Sequence, residues 1–120
     1  MKQLSILVAV AGALAGCGPV RTTANILDAE VQIQAARTAG APEKATYEWT
    51  AANLYIEKAR EEVGYSDYQA GVTFAQKASA CADAARLKAT GKEPTTEDEK
   101  RDQQDCQPRY ANENSGGAAR

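Results

Sequence analysis

Apolar positions recur with a helical period along three segments of the chain, and the pattern is lost in a fourth. Between Thr23 and Thr38, the residues Ile26, Ala29, Ile33 and Ala36 share one face of an α-helix. Thr22 or Thr23 is placed to cap its start, Gly40 to stop it, and Pro42 prevents its continuation. Pro42 then suits the first residue of a second helix, with Glu43 complementing the helix dipole. The seam of this helix is Ala45, Trp49, Ala52, Ile56, Ala59 and Val63, and Gly64 ends it. Ser66-Asp67-Tyr68-Gln69 has the form of a capping box and opens a third helix that runs to about Ala89. Its seam is Tyr68, Gly71, Ala75, Ala78, Ala82, Ala85 and Ala89. All but the first are small, so a neighbouring helix can approach closely, while Val72 and Phe74 beside the seam supply bulk. Gly91 and Pro94 stop the helix. Beyond them apolar content is too low to support a core. Thr96-x-x-Glu99 is a candidate capping box for a short polar helix over residues 96–105. β-branched runs are absent, so no strand is expected. The predicted fold class is all-α: a three-helix bundle over residues 23–90, made of an antiparallel helical hairpin and an N-terminal helix. A disordered, polar C-terminal tail follows over residues 91–120.

Composition narrows the function classes. Of 120 residues 43% are hydrophobic, much of that Ala, and only 6% are aromatic, which allows one domain with a thin core. A net charge of −2 argues against a nucleic-acid partner held by basic surface. The chain has no His, which removes Ser-His-Asp and Cys-His catalysis and His-ligated zinc. No Gly-rich phosphate loop is present, and the tail acids lack the spacing of a calcium loop. Glu57, Glu61 and Glu62, and Glu97, Asp98, Glu99 and Asp102 in the tail, read as solvated faces rather than acid–base pairs. Ser79 and Thr73 have no base partner in the sequence. No catalytic residue, metal or cofactor is expected. The aromatic residues Tyr47, Trp49, Tyr55, Tyr65 and Tyr68 are concentrated in one stretch. Trp49 and Tyr68 lie on seams and belong to the core. Tyr55 and Tyr65 lie off the seams, which leaves them as a candidate partner surface or as further core filling.

The N-terminal residues carry a different kind of signal. Met1-Lys2 is a short positive region, and Leu4–Ala15 is an uncharged, mostly apolar run. A permanent membrane span needs about 20 such residues, whereas this run has the length of a signal-peptide core. It leads into Leu14-Ala15-Gly16-Cys17, which resembles the lipobox of bacterial lipoproteins at every position. The resemblance implies residues 1–16 as signal peptide, a diacylglyceryl group on the Cys17 thiol, cleavage before Cys17, acylation of the amine so freed (palmitate among the acyl chains) and residues 17–22 as a lipidated tether. An ordinary secretory signal with a chance Cys is the alternative. In that family Asp after the Cys retains the protein in the inner membrane, so Gly18 implies sorting to the outer membrane. Several acyl chains would anchor the chain stably to a membrane.

A second resemblance covers most of residues 17–88. Tyr47-Glu48-Trp49-Thr50-Ala51-Ala52-Asn53-Leu54-Tyr55, Lys58-Ala59-Arg60-Glu61-Glu62 and Tyr65-Ser66-Asp67-Tyr68 resemble a family of small helical envelope lipoproteins known only as a domain of unknown function. That family implies a helical hairpin but no activity. The hairpin is also similar to a single tetratricopeptide repeat, with Ala59, Gly71 and Ala78 at its small positions and Tyr68 at its aromatic one. Glu62 and Asp83 depart from that pattern, and one repeat does not make an array.

An oxidising envelope compartment gives the remaining thiols a meaning. Cys81 and Cys106 form a candidate disulfide, closing a loop of about 26 residues worth roughly 3–4 kcal/mol. It would draw the tail back along the third helix, with Cys81 on a partly covered flank. The alternative is Cys81 as a small buried residue and Cys106 as a free or intermolecular thiol. The expectation for function is a non-enzymatic, lipid-anchored envelope protein presenting a helical module to another protein or to peptidoglycan. A structural or assembly role without a ligand groove is one alternative, and an enzyme, which would need a buried polar cluster, is the other. A groove lined by Tyr55 and Tyr65 favours the first, and a closed convex bundle favours the second.

Overall fold

A computed structural model describes residues 17–107, and every regular element among them is an α-helix. In chain order these are α1 (Cys17–Thr38), α2 (Ala41–Lys44), α3 (Thr46–Gly64), α4 (Tyr68–Thr90) and α5 (Glu97–Cys106). Helices α1, α3 and α4 pack on one another, and α5 packs on α4.

The seams of the three long helices form the core. Ala29, Ile33 and Ala36 of α1, Ala52, Ile56 and Ala59 of α3, and the α4 line from Gly71 to Ala89 are all buried. Such a core removes little apolar area per residue, but Ala loses no rotamer freedom on burial and lets helix axes approach closely. Helix α4 is the central element. Off its seam, Val72, Ala80, Cys81, Ala84 and Leu87 are also buried. Trp49 and Tyr68 are only half-buried, Trp49 packing on the edge of the core.

Four details differ from the sequence expectation. Residues 17–22 are not a tether: α1 begins at Cys17. Thr22 sits one turn before Ile26 on the same seam, is 1% exposed, and its Oγ1 donates to the Tyr68 carbonyl at 3.2 Å. A threonine whose hydroxyl finds an acceptor can extend an apolar seam. Pro19 is tolerated because it stands in the first turn, where its missing N–H has no intrahelical partner. The second helix does not run unbroken from Pro42. Ala45 leaves helical geometry at φ −138°, separating the single turn α2 from α3, and this bend buries Ala41 and Ala45 together.

The cap of α4 is Asp67 rather than Ser66, with the Asp67 side chain accepting from the Ala70 N–H. Ser66 instead takes the left-handed position after α3, at φ 64°. Its N–H donates to the Val63 carbonyl at 2.9 Å, and the Asp67 N–H donates to that of Glu62 at 2.9 Å. These are the two bonds that close a helix end.

The polar tail is not featureless either. Helix α5 spans 97–106, one residue beyond the expected bounds, under a complete capping box. The Thr96 hydroxyl accepts from the Glu99 N–H at 3.1 Å, and the Glu99 carboxylate accepts from the Thr96 N–H at 3.0 Å. The low apolar content of this segment is offset by the cap and by a covalent tie to α4. The rest of the predicted disordered tail, residues 108–120, lies outside the described residues.

Candidate functional site

The residues singled out from the sequence lie in separate places. Cys17 is the first residue of α1. The rest of the lipobox-like motif, with the signal segment 1–16, lies outside the described residues.

Cys81 and Cys106 are joined by a disulfide, with their Cα atoms 4.9 Å apart. Cys81 is not on a reachable flank as expected: it is 0% exposed, and Cys106 is 4% exposed. Helix α5 doubles back along α4 to bring the two together.

Tyr55 and Tyr65 do not line a common groove. Tyr55 is half-buried and stacks on Phe74 of α4, ring centroids 6.2 Å apart. Lys77 Nζ lies 5.7 Å from the centroid of each ring. A cation over aromatic faces stabilises this corner modestly. Tyr65 follows α3, is 75% exposed, and its backbone N–H closes the last turn of α3.

Shallow clefts among the described residues include the following. One of about 340 Å³ lies where the end of α4, the 91–93 turn and α5 meet α3, lined by Glu48, Lys88, Lys92, Glu93, Gln103 and Gln107 among others. Lys88 Nζ donates to Glu48 Oε1 at 2.8 Å, while Glu48 Oε2 is buried without a hydrogen-bond partner. Charges of both signs line this cleft, so it has no strong preference for an ion of either sign. A second, of about 290 Å³, runs along the outer face of α3 past Tyr47, Thr50, Ala51, Leu54 and Tyr55. A third, of about 220 Å³, lies between α1 and α3 beside the Arg60–Glu30 ion pair of 2.6 Å. Among the described residues no group of three or more His, Cys, Asp or Glu side chains is arranged to hold a metal ion.

Shifted ionisations fall on helix surfaces rather than in these clefts. Hydrogen bonds from the Thr96 and Thr95 backbone hold the Glu99 carboxyl down at about 2. Hydrogen bonds to Glu62 and Glu61 raise the Lys58 ammonium. Partial burial raises Asp102, and the nearby charge of Asp83 adds to it. Each shift is explained by a structural contact, and none pairs an acid with a base around a pocket.

Two exposed apolar surfaces stand outside the sequence expectation. Tyr47 and Leu54 lie on the outer face of α3, 47% and 60% exposed. Val20, Leu27 and Val31 lie on α1, 71%, 56% and 66% exposed. The signal for the second is in the sequence, because Val20, Ala24, Leu27 and Val31 are themselves helically spaced. It runs parallel to the stronger core seam and is masked by it. No protein family, curated protein or solved structure matches this chain.

Proposed function

We propose that this is a lipid-anchored protein of the bacterial cell envelope, held at the outer membrane by acyl chains on Cys17. It presents a helical module to an envelope protein or to peptidoglycan, without catalysis of its own. The observation that carries this reading is the sequence Leu14-Ala15-Gly16-Cys17 at the end of a short apolar run. The buried Cys81–Cys106 disulfide supports it, since such bonds persist in oxidising compartments and are rare in the cytosol. The apolar surface of Tyr47, Leu54 and Tyr55 is the partner face, with exposed Tyr65 beyond the end of the same helix. Replacing Cys17 with Ala in the full chain is expected to move the protein out of the membrane fraction or leave it unprocessed. A Cys17→Ala variant that still fractionates with the membrane at the mature size contradicts the anchor.

A second reading, a structural or assembly role with no ligand groove, is favoured by the separation of Tyr55 from Tyr65 and the shallowness of the clefts. Cross-linking in intact cells followed by mass spectrometry distinguishes the two. Recurrent cross-links from Tyr47 and Leu54 to one partner support a binding module, and their absence supports the structural role.

A further inference from the structure

Helix α1 is apolar on two opposite faces. Ala29, Ile33 and Ala36 are buried against the bundle, while Val20, Leu27 and Val31 are exposed at 71%, 56% and 66%. Ala24, between them, is exposed as well. Turning about 100° per residue, this second line points roughly 180° away from the first. Its spacing alternates four and three residues, as in a two-helix seam. Single exposed apolar residues are ordinary, but three large ones aligned on one helix face mark an interaction surface.

We propose that this face pairs with the same face of a second copy of the chain, the two α1 helices running antiparallel. Charge sets the direction. Arg21 and Asp28 are exposed on the same edge of the stripe. Neither takes part in an ion pair among the described residues. With a twofold axis between Ala24 and Leu27, Val20 of one copy faces Val31 of the other, and Ala24 faces Leu27. Arg21 then meets Asp28 on both sides of the axis, giving two symmetry-related ion pairs. The other edge brings Thr23 to Glu30, whose charge is already held by Arg60 within its own chain at 2.6 Å, so no like charges meet. A parallel pair sets Thr23 against Asp28 and leaves both Arg21 and Asp28 without an opposite charge. The seam is about two heptads long, so the interface falls below the roughly 1,200 Å² of a stable complex. The pair is a weak one that forms where copies are concentrated, as on a membrane surface.

Cysteine cross-linking of the full chain in the cells that produce it tests this directly. Positions 20 and 31 of one chain are about 16 Å apart along the helix and cannot bridge each other. The double variant Val20→Cys/Val31→Cys is expected to give a covalent dimer on mild oxidation. Each single variant is expected to give about tenfold less, and producing the two single variants together restores the bridge. In the double-cysteine background, Arg21→Glu is expected to lower the yield about fivefold, as for two exposed ion pairs. Adding Asp28→Arg restores it. No dimer from the double variant, single variants that bridge as well as the double, or a yield indifferent to the charge exchange each overturns the proposal. So does labelling of Val20 and Leu27 by a photoactivatable lipid without any dimer, which assigns the face to the bilayer instead.

Discussion

Ser66 is a non-glycine residue held at φ 64°, a conformation in which the Cβ meets the following carbonyl. It is kept there by the two backbone bonds that end α3. Ser66→Gly removes this repulsion at some cost in unfolded-state entropy, and the expected net gain is about 0.5–1 kcal/mol in chemical denaturation. Gly71 has the opposite character. A Cβ there meets Val63 Cγ2 at 2.9 Å and Thr22 Cγ2 at 3.0 Å, so three helices converge on the missing side chain. Gly64 has nothing within 4 Å of an added Cβ. Gly64→Ala is therefore expected to stabilise by up to about 1 kcal/mol through helix propensity. Gly71→Ala gains the same propensity but overpacks the site, for a net loss of about 1–2 kcal/mol. Equal effects of the two substitutions in urea melts would mean that the close approach at Gly71 does not exist. The sequence marks Gly71 as one small seam residue among many. It does not separate Gly71 from its Ala neighbours, because the distance between helices depends on all three at once. The left-handed Ser66 is also not legible, since Gly64 offers a more usual stop two residues earlier.

At the scale of elements, α5 shows what composition conceals and a local motif reveals. Averaged over the tail, apolar content is too low for a core, which reads as disorder. The Thr96–Glu99 spacing nonetheless specifies a helix start, and the disulfide fastens its other end to α4. That cross-link closes a loop with a sequence separation of 25. Cys106→Ser is expected to cost about 3.5 kcal/mol by the chain-entropy estimate, read as a lower denaturation midpoint. An unchanged midpoint would show that the cross-link contributes nothing to stability. The cap also predicts a pH response. Glu99 is held at about 2 against an ordinary 4.5, so its stabilisation is complete above pH 4.5 and is lost as the pH falls toward 2. Asp102 has the opposite sign: its carboxyl is raised by burial, so protonation relieves it. Amide protection factors in α5, taken relative to the intrinsic exchange rate at each pH, should therefore fall with acid in the natural chain, and much less in Glu99→Gln. Protection equally acid-sensitive in that variant would place the response elsewhere. Helix α1 gives the converse lesson. Its core seam is plain in the sequence, but its start is not, because Thr22 reads as a cap until the Tyr68 carbonyl is seen to accept its hydroxyl.

For the molecule as a whole, the seams of α1, α3 and α4 are what the hydrophobic pattern predicts, and their packing follows from small residues facing one another. The positions of Tyr55 and Tyr65 follow from no pattern in the chain. Tyr55 is drawn inward by Phe74 and Lys77, contacts set by the docking of α3 on α4, while Tyr65 is carried out on the turn between them. The start of α1 bears on the proposed anchor. With no flexible tether over residues 17–22, a lipid on Cys17 would hold the rigid helix end directly at the bilayer surface. The most direct measurement is the mass of the N-terminal tryptic peptide from the full chain isolated from the cell envelope. The expected peptide spans Cys17–Arg21 and carries a diacylglyceryl group and an amide-linked acyl chain. A peptide extending upstream of Cys17, or one with an unmodified Cys17 thiol, would contradict it.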